Sequence, residues 1–367
     1  MLKRIIFFGL IFSFVDFSIH AQVSATRALN IAEDNFENGR LRGISKELSP
    51  YFISQKTGGF SKEEEIRAHR LITLVSLYND NDLAAEEAFI ELLKADPEHP
   101  PVATDPKEFH YLHEKFNTDP IFRIGGKVGS NILNNVNTID KFGAADTNTG
   151  DNKVYTSKIG FTAELTFEYQ LPFNLEVVSG LGFSNESFQV KYNIINTGIV
   201  EDDDISVDLT ETQNWLKIPL IIRYNVKVTK ALTPYVYGGV SMNLLTKSEF
   251  TGSRSDGQPV TLAEDVLSAK IRNKFNQAII GGLGIKLASK TNFLVLEARY
   301  SNGISNIVNS SNRYVNQNLL FQGAHVDDNF SLNNLSVSFG YIYSLYNPKK
   351  LSQKRYYKKM SKKLNKI

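Results

Sequence analysis

The sequence predicts a membrane-embedded, all-β barrel of eight antiparallel strands preceded by a small all-α domain. Apolar spacing changes near Ile121 from a helical period to strict alternation, which separates helix from half-buried strand. Eight alternating stretches follow. Their connections run long, short, long, short, the habit of an outer-membrane barrel, whereas a sandwich has no reason to segregate its loops by length.

The 367 residues are 42% hydrophobic and 22% charged, with a net charge of +2. That balance suits a globular chain and gives no electrostatic case for binding nucleic acid. The absence of cysteine excludes disulfides, thiol catalysis, cysteine-ligated metal and a lipid-modified cysteine. At the N-terminus, Lys3 and Arg4 precede the apolar run Ile5–Val15, and Ala21 offers a small residue for cleavage. Residues 1–21 therefore read as a secretory signal peptide, the run falling short of the ~20 apolar residues that span a bilayer.

Residues 22–118 read as the helical domain. Leu71, Leu74, Val75 and Tyr78 recur at helical spacing, as do Ala85, Ala88, Phe89 and Leu92. Ser61 with Glu64 makes a capping box, Asn79–Asp82 breaks the pair and Asp96-Pro97 stops it. An earlier pair is expected from Leu29, Ala32 and Phe36, then Asn38-Gly39, then Ile44, Leu48, Tyr51 and Phe52. Two hairpins 34–38 residues apart resemble a short tetratricopeptide-like array, with Phe109, Leu112 and Phe116 marking a last helix.

Residues 119–346 carry the barrel. Strands are expected at 122–132, 158–170, 175–192, 214–226, 233–245, 274–287, 293–305 and 332–343, leaving long loops at 134–157, 193–213, 246–273 and 306–331. In NWLKIPLIIRYNV (214–226), Leu216, Ile218, Leu220, Ile222 and Tyr224 form a lipid-facing row, and Lys217, Pro219, Ile221, Arg223 and Asn225 face the lumen. A closed barrel pairs every backbone polar group inside lipid. Pro219 then costs one ladder bond, which a bulge or a water must relieve.

Alternation also turns charges inward. Arg123, Lys127, Lys158, Lys217, Arg223, Lys286 and Arg299 are expected in the lumen opposite Glu164, Glu168, Glu176 and Glu297. An eight-stranded barrel has room for little beyond side chains, so these read as a paired polar plug.

The blocks LKIPLIIRYNV, TPYVYGGV (233–240), ARYSNGISNI (298–307) and LSVSFGYIY (335–343) resemble the PorT-like outer-membrane barrel family of Bacteroidetes over about 121–345. The resemblance implies an outer-membrane protein, with some members serving type IX secretion. It supplies no catalytic residues, and the helical domain is a departure from a bare barrel.

Other motifs compete with bland readings. His110, His113 and Glu114 lie one helical turn apart and could hold a metal, but paired histidines on such a helix read as surface residues. Asp146-x-Asn148-x-Gly150-Asp151 lacks the closing glutamate of a calcium loop, and Glu201–Asp204 reads as a solvated acidic run. Gly281-Gly282-Leu283-Gly284 lies in a strand, where glycine permits close packing. A lipid-modifying enzyme would need His325 to meet Ser310 or Ser311. The tail, residues 347–367, holds nine lysines or arginines, with Tyr357, Met360, Leu364 and Ile367 on one helical face.

The expectation is thus a non-enzymatic barrel without metal or cofactor, seated in outer-membrane lipid. It holds residues 22–118 in the periplasm against an envelope protein partner. An extracellular binder acting through the long loops and a lipid-modifying enzyme are the alternatives.

Overall fold

The computed structural model describes residues 16–118, 120, 122–142, 153–194, 205–226, 228–229, 231–255, 259–289, 291–353, 356–357 and 361. Most of the expected signal peptide, the Asp146–Asp151 motif, the Glu201–Asp204 run and Met360, Leu364 and Ile367 of the tail lie outside the described residues. The chain divides into two compact units, residues 1–120 with 346–367 and residues 121–345.

The first unit is built on helices α1 (Asp16–Glu37), α2 (Ile44–Leu48), α3 (Lys62–Tyr78), α4 (Asp82–Ala95) and α5 (Lys107–Glu114). The capping box forms in full: Ser61 Oγ accepts from the Glu64 amide, and the Glu64 carboxylate accepts from the Ser61 amide at 2.9 Å. Between α3 and α4, Asp80 takes a left-handed turn and Asn81 caps α4 by accepting from Ala84 N. Leu74, Ala85, Phe89 and Leu92 of this hairpin pack with Phe109, Leu112 and Phe116. The earlier pair differs from expectation. Its second arm is only the five residues of α2, because Ser49-Pro50-Tyr51 turns into a 3-10 segment, the proline having no amide to extend an α-helix.

Two short strands complete this unit: β1 (Phe116–Asn117) pairs antiparallel with β12 (Lys349–Lys350). Lys350 pairs with Glu86, and Leu351 N donates to Lys115 O at 2.8 Å.

The second unit is the barrel. Its strands are β2 (Phe122–Asp140), β3 (Val154–Lys158), β4 (Gly160–Gln170), β5 (Leu175–Ile194), β6 (Ile205–Asn225), β7 (Leu232–Ser255), β8 (Pro259–Asp265), β9 (Phe275–Ser289), β10 (Asn292–Gly303) and β11 (Asn329–Leu345). Among the described residues, eight of them close a cycle of antiparallel ladders in the order β2-β4-β5-β6-β7-β9-β10-β11, with β11 returning to β2. Closure leaves no edge in the spanning region. The outward row of β6 is apolar and open to the surroundings, with Ile218, Leu220 and Ile222 54%, 55% and 59% exposed. Val128, Phe161, Leu165, Phe167, Val236, Val240, Ile279, Leu283, Leu296 and Phe339 continue that band around the barrel.

The strands run well beyond their expected ends at the long-loop side. β6 and β7 stay paired out to Ser206 with Ser255, ten residues past Leu216, or roughly 30 Å at the rise of a strand. On β2, β7 and the β3–β4 stretch, bulges explain why this extension hid from a period-two reading. An extra residue enters β2 at Ile132, opposite Leu335 and Ser336, and another enters β7 at Thr246, opposite Asn214 and Trp215. Ile159 does the same between β3 and β4, whose registers against β5 differ by one. One extra residue exchanges the two faces of a strand, so alternation resumes out of phase.

Pro219 needs no bulge. The β5–β6 register is the same at Ser179–Leu220 and Gly182–Lys217, and the ladder skips only the pairs between them. Ser179 Oγ donates to the Pro219 carbonyl at 2.9 Å across this gap.

Candidate functional site

The interior begins at the short-turn end with an interlocked set of ion pairs. Arg223, 1% exposed, lies on β6 and donates to Glu168 of β4 at 2.6 Å and Glu176 of β5 at 3.2 Å. Lys286 of β9 bridges the same two carboxylates at 3.0 and 2.7 Å, and Arg123 of β2 reaches Glu176 at 2.7 Å. The Arg223 guanidinium also stacks over the Tyr235 ring, 4.4 Å from its centre. Each carboxylate therefore meets at least two cations, the condition under which buried charge is tolerable.

One layer further in, Glu297 is the hub. It accepts from Lys127 at 3.0 Å and from Tyr235 OH, Tyr237 OH and Arg299, each at 2.9 Å. Lys127 and Arg299 also hold Glu164. Two glycines make this hub possible: a Cβ on Gly282 or Gly284 would lie 2.5 Å from the ring of Tyr237 or Tyr235. The glycine run thus serves close packing within a strand. A cavity of about 20 Å³ lined by Lys127, Thr162, Glu164, Arg299, Ser336 and Ser338 has room for about one water.

Of the lumen charges read from the sequence, Arg123, Lys127, Glu164, Glu168, Glu176, Arg223, Lys286, Glu297 and Arg299 meet in this network. Lys217 sits apart and pairs with Glu186, a lumen acid the alternation had not singled out. Lys158 is a correction: it is exposed, because the extra residue at Ile159 turns it to the outer face.

The long-loop half of the interior was not foreseen. Phe188, Trp215, Leu245, Phe330 and Leu332 line it, and Ile307 and Val308 fill it. Above them, Val190, Val207, Leu209, Phe250 and Leu262 pack against Val266, Ile271 and Leu319. Within this apolar filling lies one ion triplet. Arg272 makes four hydrogen bonds of 2.8 Å, two to Glu211 and two to Asp327. The filling residues come from connections, which carry no period to betray them. Phe330 and the inward row of β6 could have been found by continuing the alternation, which runs unbroken along β6 and β11 because the extra residues lie on β7 and β2.

His325 turns inward, 2% exposed, against Tyr192 OH at 3.0 Å and Asp327 at 3.4 Å. Ser310 instead donates to Asn329, so the structure does not assemble the serine–histidine pair that a lipid-modifying enzyme would need. In the helical unit, the His113 ring stands edge-on to Phe89.

The interior offers fixed, mutually neutralised charge at one end and packed apolar side chains at the other. Among the described residues, the network's carboxylates each meet a cation, and the space beside them in the lumen is the one-water cavity.

Among solved structures the chain is similar to Neisserial surface protein A (10% identity over 63% of this chain and 97% of that one, TM-score 0.30). It is also similar to OprG from Pseudomonas aeruginosa (14%, 62% and 97%, TM-score 0.34) and to Ail of Yersinia pestis in complex with the heparin analogue sucrose octasulfate (12%, 60% and 99%, TM-score 0.25). No curated protein matches. The family model described as outer membrane protein beta-barrel domain matches residues 117–309, and the chain belongs to that family, an outer-membrane barrel with a helical N-terminal region.

Proposed function

We propose that this protein is a non-enzymatic outer-membrane barrel that anchors a periplasmic interaction module, residues 22–118, as an accessory part of an envelope or type IX secretion-type assembly. The observation that carries this reading is the filled interior. With ion pairs from six strands packed at one end and apolar side chains at the other, the described residues leave the lumen no volume for transport, and function falls to what the barrel displays. A barrel can also close without the helical residues, so their presence asks for a purpose. The PorT-like resemblance favours a secretion-type assembly over an unrelated one.

Orientation follows from the even strand count: both ends of the barrel lie with the short turns, which we place in the periplasm. An epitope at Gly150 or Asp256 should then be labelled on intact cells and one at Lys290 should not; the reverse pattern would invert the topology. The function itself is tested by deleting 24–116. The truncated chain should insert as a heat-modifiable barrel yet lose the envelope partners that co-purify with the full chain. Equal recovery of those partners by the barrel alone would defeat the reading.

A second reading, an extracellular binder, has one observation in its favour. The long connections are not simple solvated loops: β5, β6, β7 and β8 extend past the apolar band with an apolar core of their own.

A further inference from the structure

We propose that residues 304–328, between β10 and β11, form a latched strap across the long-loop end of the barrel, with Arg272 as the latch. This goes beyond the anchoring role, since it concerns the opposite end from the helical unit's chain connections and stands whether or not that unit binds a partner.

The strap is held differently from the wall it covers. Only its first residues join a neighbour by backbone: Ile304 N donates to Gln277 O, Ile307 N to Phe330 O and Asn309 N to Ile271 O. From Ser310 to Asp327, among the described residues, the backbone-to-backbone bonds are local turns within the strap itself. They include a π-helical turn at Asn318–Gln322, and Ala324 stands at φ +48°, a left-handed conformation that is unfavourable for a residue with a Cβ. Attachment to the wall here is by side chains. Tyr192 OH donates to Ala324 O at 2.9 Å, Lys153 Nζ to Val326 O at 2.7 Å, and Arg254 to Phe321 O at 2.9 Å.

At the strap's end Asp328 pairs with Lys153 at 2.6 Å and accepts from Tyr155 OH at 2.7 Å, and next to it Arg272 makes the most hydrogen bonds of any of these attachments. It joins Glu211 on the β6 wall to Asp327 on the strap through all four of its 2.8 Å bonds, and the three side chains are nearly fully buried. Remove the guanidinium and the buried Glu211 and Asp327 carboxylates lose the cation that joins them, leaving the Asp327 carboxylate, among the described residues, only the His325 ring at 3.4 Å, so the strap is driven off the wall rather than merely loosened. What it uncovers is apolar. Leu319 leaves the inner faces of Val190, Val207, Leu209, Phe250 and Leu262. The ion network at the short-turn end is untouched, so release opens a cup and not a channel.

Arg313 supplies the readout. It is 4% exposed, held by the Asp327 carbonyl at 3.0 Å, and becomes a trypsin site only when the strap lifts. With the full-length chain in detergent micelles, cleavage after Arg313 should be at least about tenfold faster in Arg272→Ala than in the parent, with heat-modifiable migration retained. The triple variant Glu211→Gln, Arg272→Met, Asp327→Asn removes the charges together and should restore the parental rate, which a misfolded barrel would not do. If Arg272→Ala is cut no faster than the parent, or the triple variant is cut as fast as Arg272→Ala, the latch is overturned. Hydrogen exchange on the unmutated protein gives an independent check. Strap amides at 310–327 should exchange at least about tenfold faster than those of β10 and β11. Equal protection would make the strap a static plug and end the proposal.

Discussion

At the short-turn end of the barrel, Arg223, Lys286 and Arg123 reach across the lumen to Glu168 and Glu176, and every participant is a strand residue. At the long-loop end, Phe188, Trp215 and Phe330 on the wall meet Ile307, Val308, Ile271 and Leu319, which the connections bring in. The same closed sheet is thus filled by its own walls at one end and by its loops at the other. Charge fills a lumen well only where both partners are fixed on the ladder, because a buried ion without a held counter-ion costs several kcal/mol. Apolar side chains carry no such demand for a fixed partner, so irregular segments can supply them. Arg272, which needs two carboxylates to be tolerated there, and Lys153, paired with Asp328 at 2.6 Å, are exceptions at the loop end.

The largest expected effect breaks the charged end. Arg223→Met strands Glu168 and Glu176 with a reduced set of cations and should cost about 3–5 kcal/mol in denaturant-dependent unfolding from micelles. A loss below about 1 kcal/mol would mean that water already screens the network. The opposite face of the same wall gives the next effect. Leu165→Arg, on the outward row of β4, should cost about 2–4 kcal/mol if it lies near the bilayer midplane. Thr166→Arg one residue on should act by crowding instead, since Thr166 is fully buried and faces Gly125. Equal salt dependence of the two would contradict that split.

At the apolar end, Phe330→Leu should cost roughly 1–2 kcal/mol by underpacking against Phe188, with the strand ladder intact. Neither single variant should produce a stable large conductance in planar bilayers, because the other half still blocks the lumen; a channel in Phe330→Leu would show that only the apolar end closes it.

The smallest effect comes from an ion pair outside the barrel. Burial pushes the Glu86 carboxyl up, but the Lys350 hydrogen bond and the Lys350 and Lys115 charges outweigh it and hold the group below 4.5. A depressed carboxyl stabilises the fold above its unfolded pKa, and that contribution disappears as pH falls through the folded value. The difference in unfolding free energy between the parent and Glu86→Gln should therefore be present at pH 6 and vanish well below pH 4.5. Its size should stay under about 1 kcal/mol, as Lys350 is more than half exposed. An effect as large as that of Arg223→Met would erase the contrast between lumen and surface charge.

The capping box at Ser61, the break at Asn79–Asp82, the lipid-facing row of β6 and the ion-paired lumen were legible in the sequence. Each depends on residues close in the chain or on a period of two, and hydrophobic burial enforces that period once one face meets lipid and the other a narrow lumen. Who pairs with whom was not legible. Glu297 meets Tyr235, Tyr237, Lys127 and Arg299 only because the ladders bring β2, β7 and β10 to one level. The outer half was hidden for a second reason. Bulges at Ile132, Ile159 and Thr246 each shift the phase by one residue, which sent Lys158 outward and disguised strand as loop. The sequence by itself determined the outer-membrane barrel class and the sign of each face as far as the first bulge. Only the tertiary structure decided the partners of each charge, the passage of Pro219 without a bulge and the strap over the long-loop end, because those rest on contacts between residues up to two hundred positions apart, which no local pattern encodes.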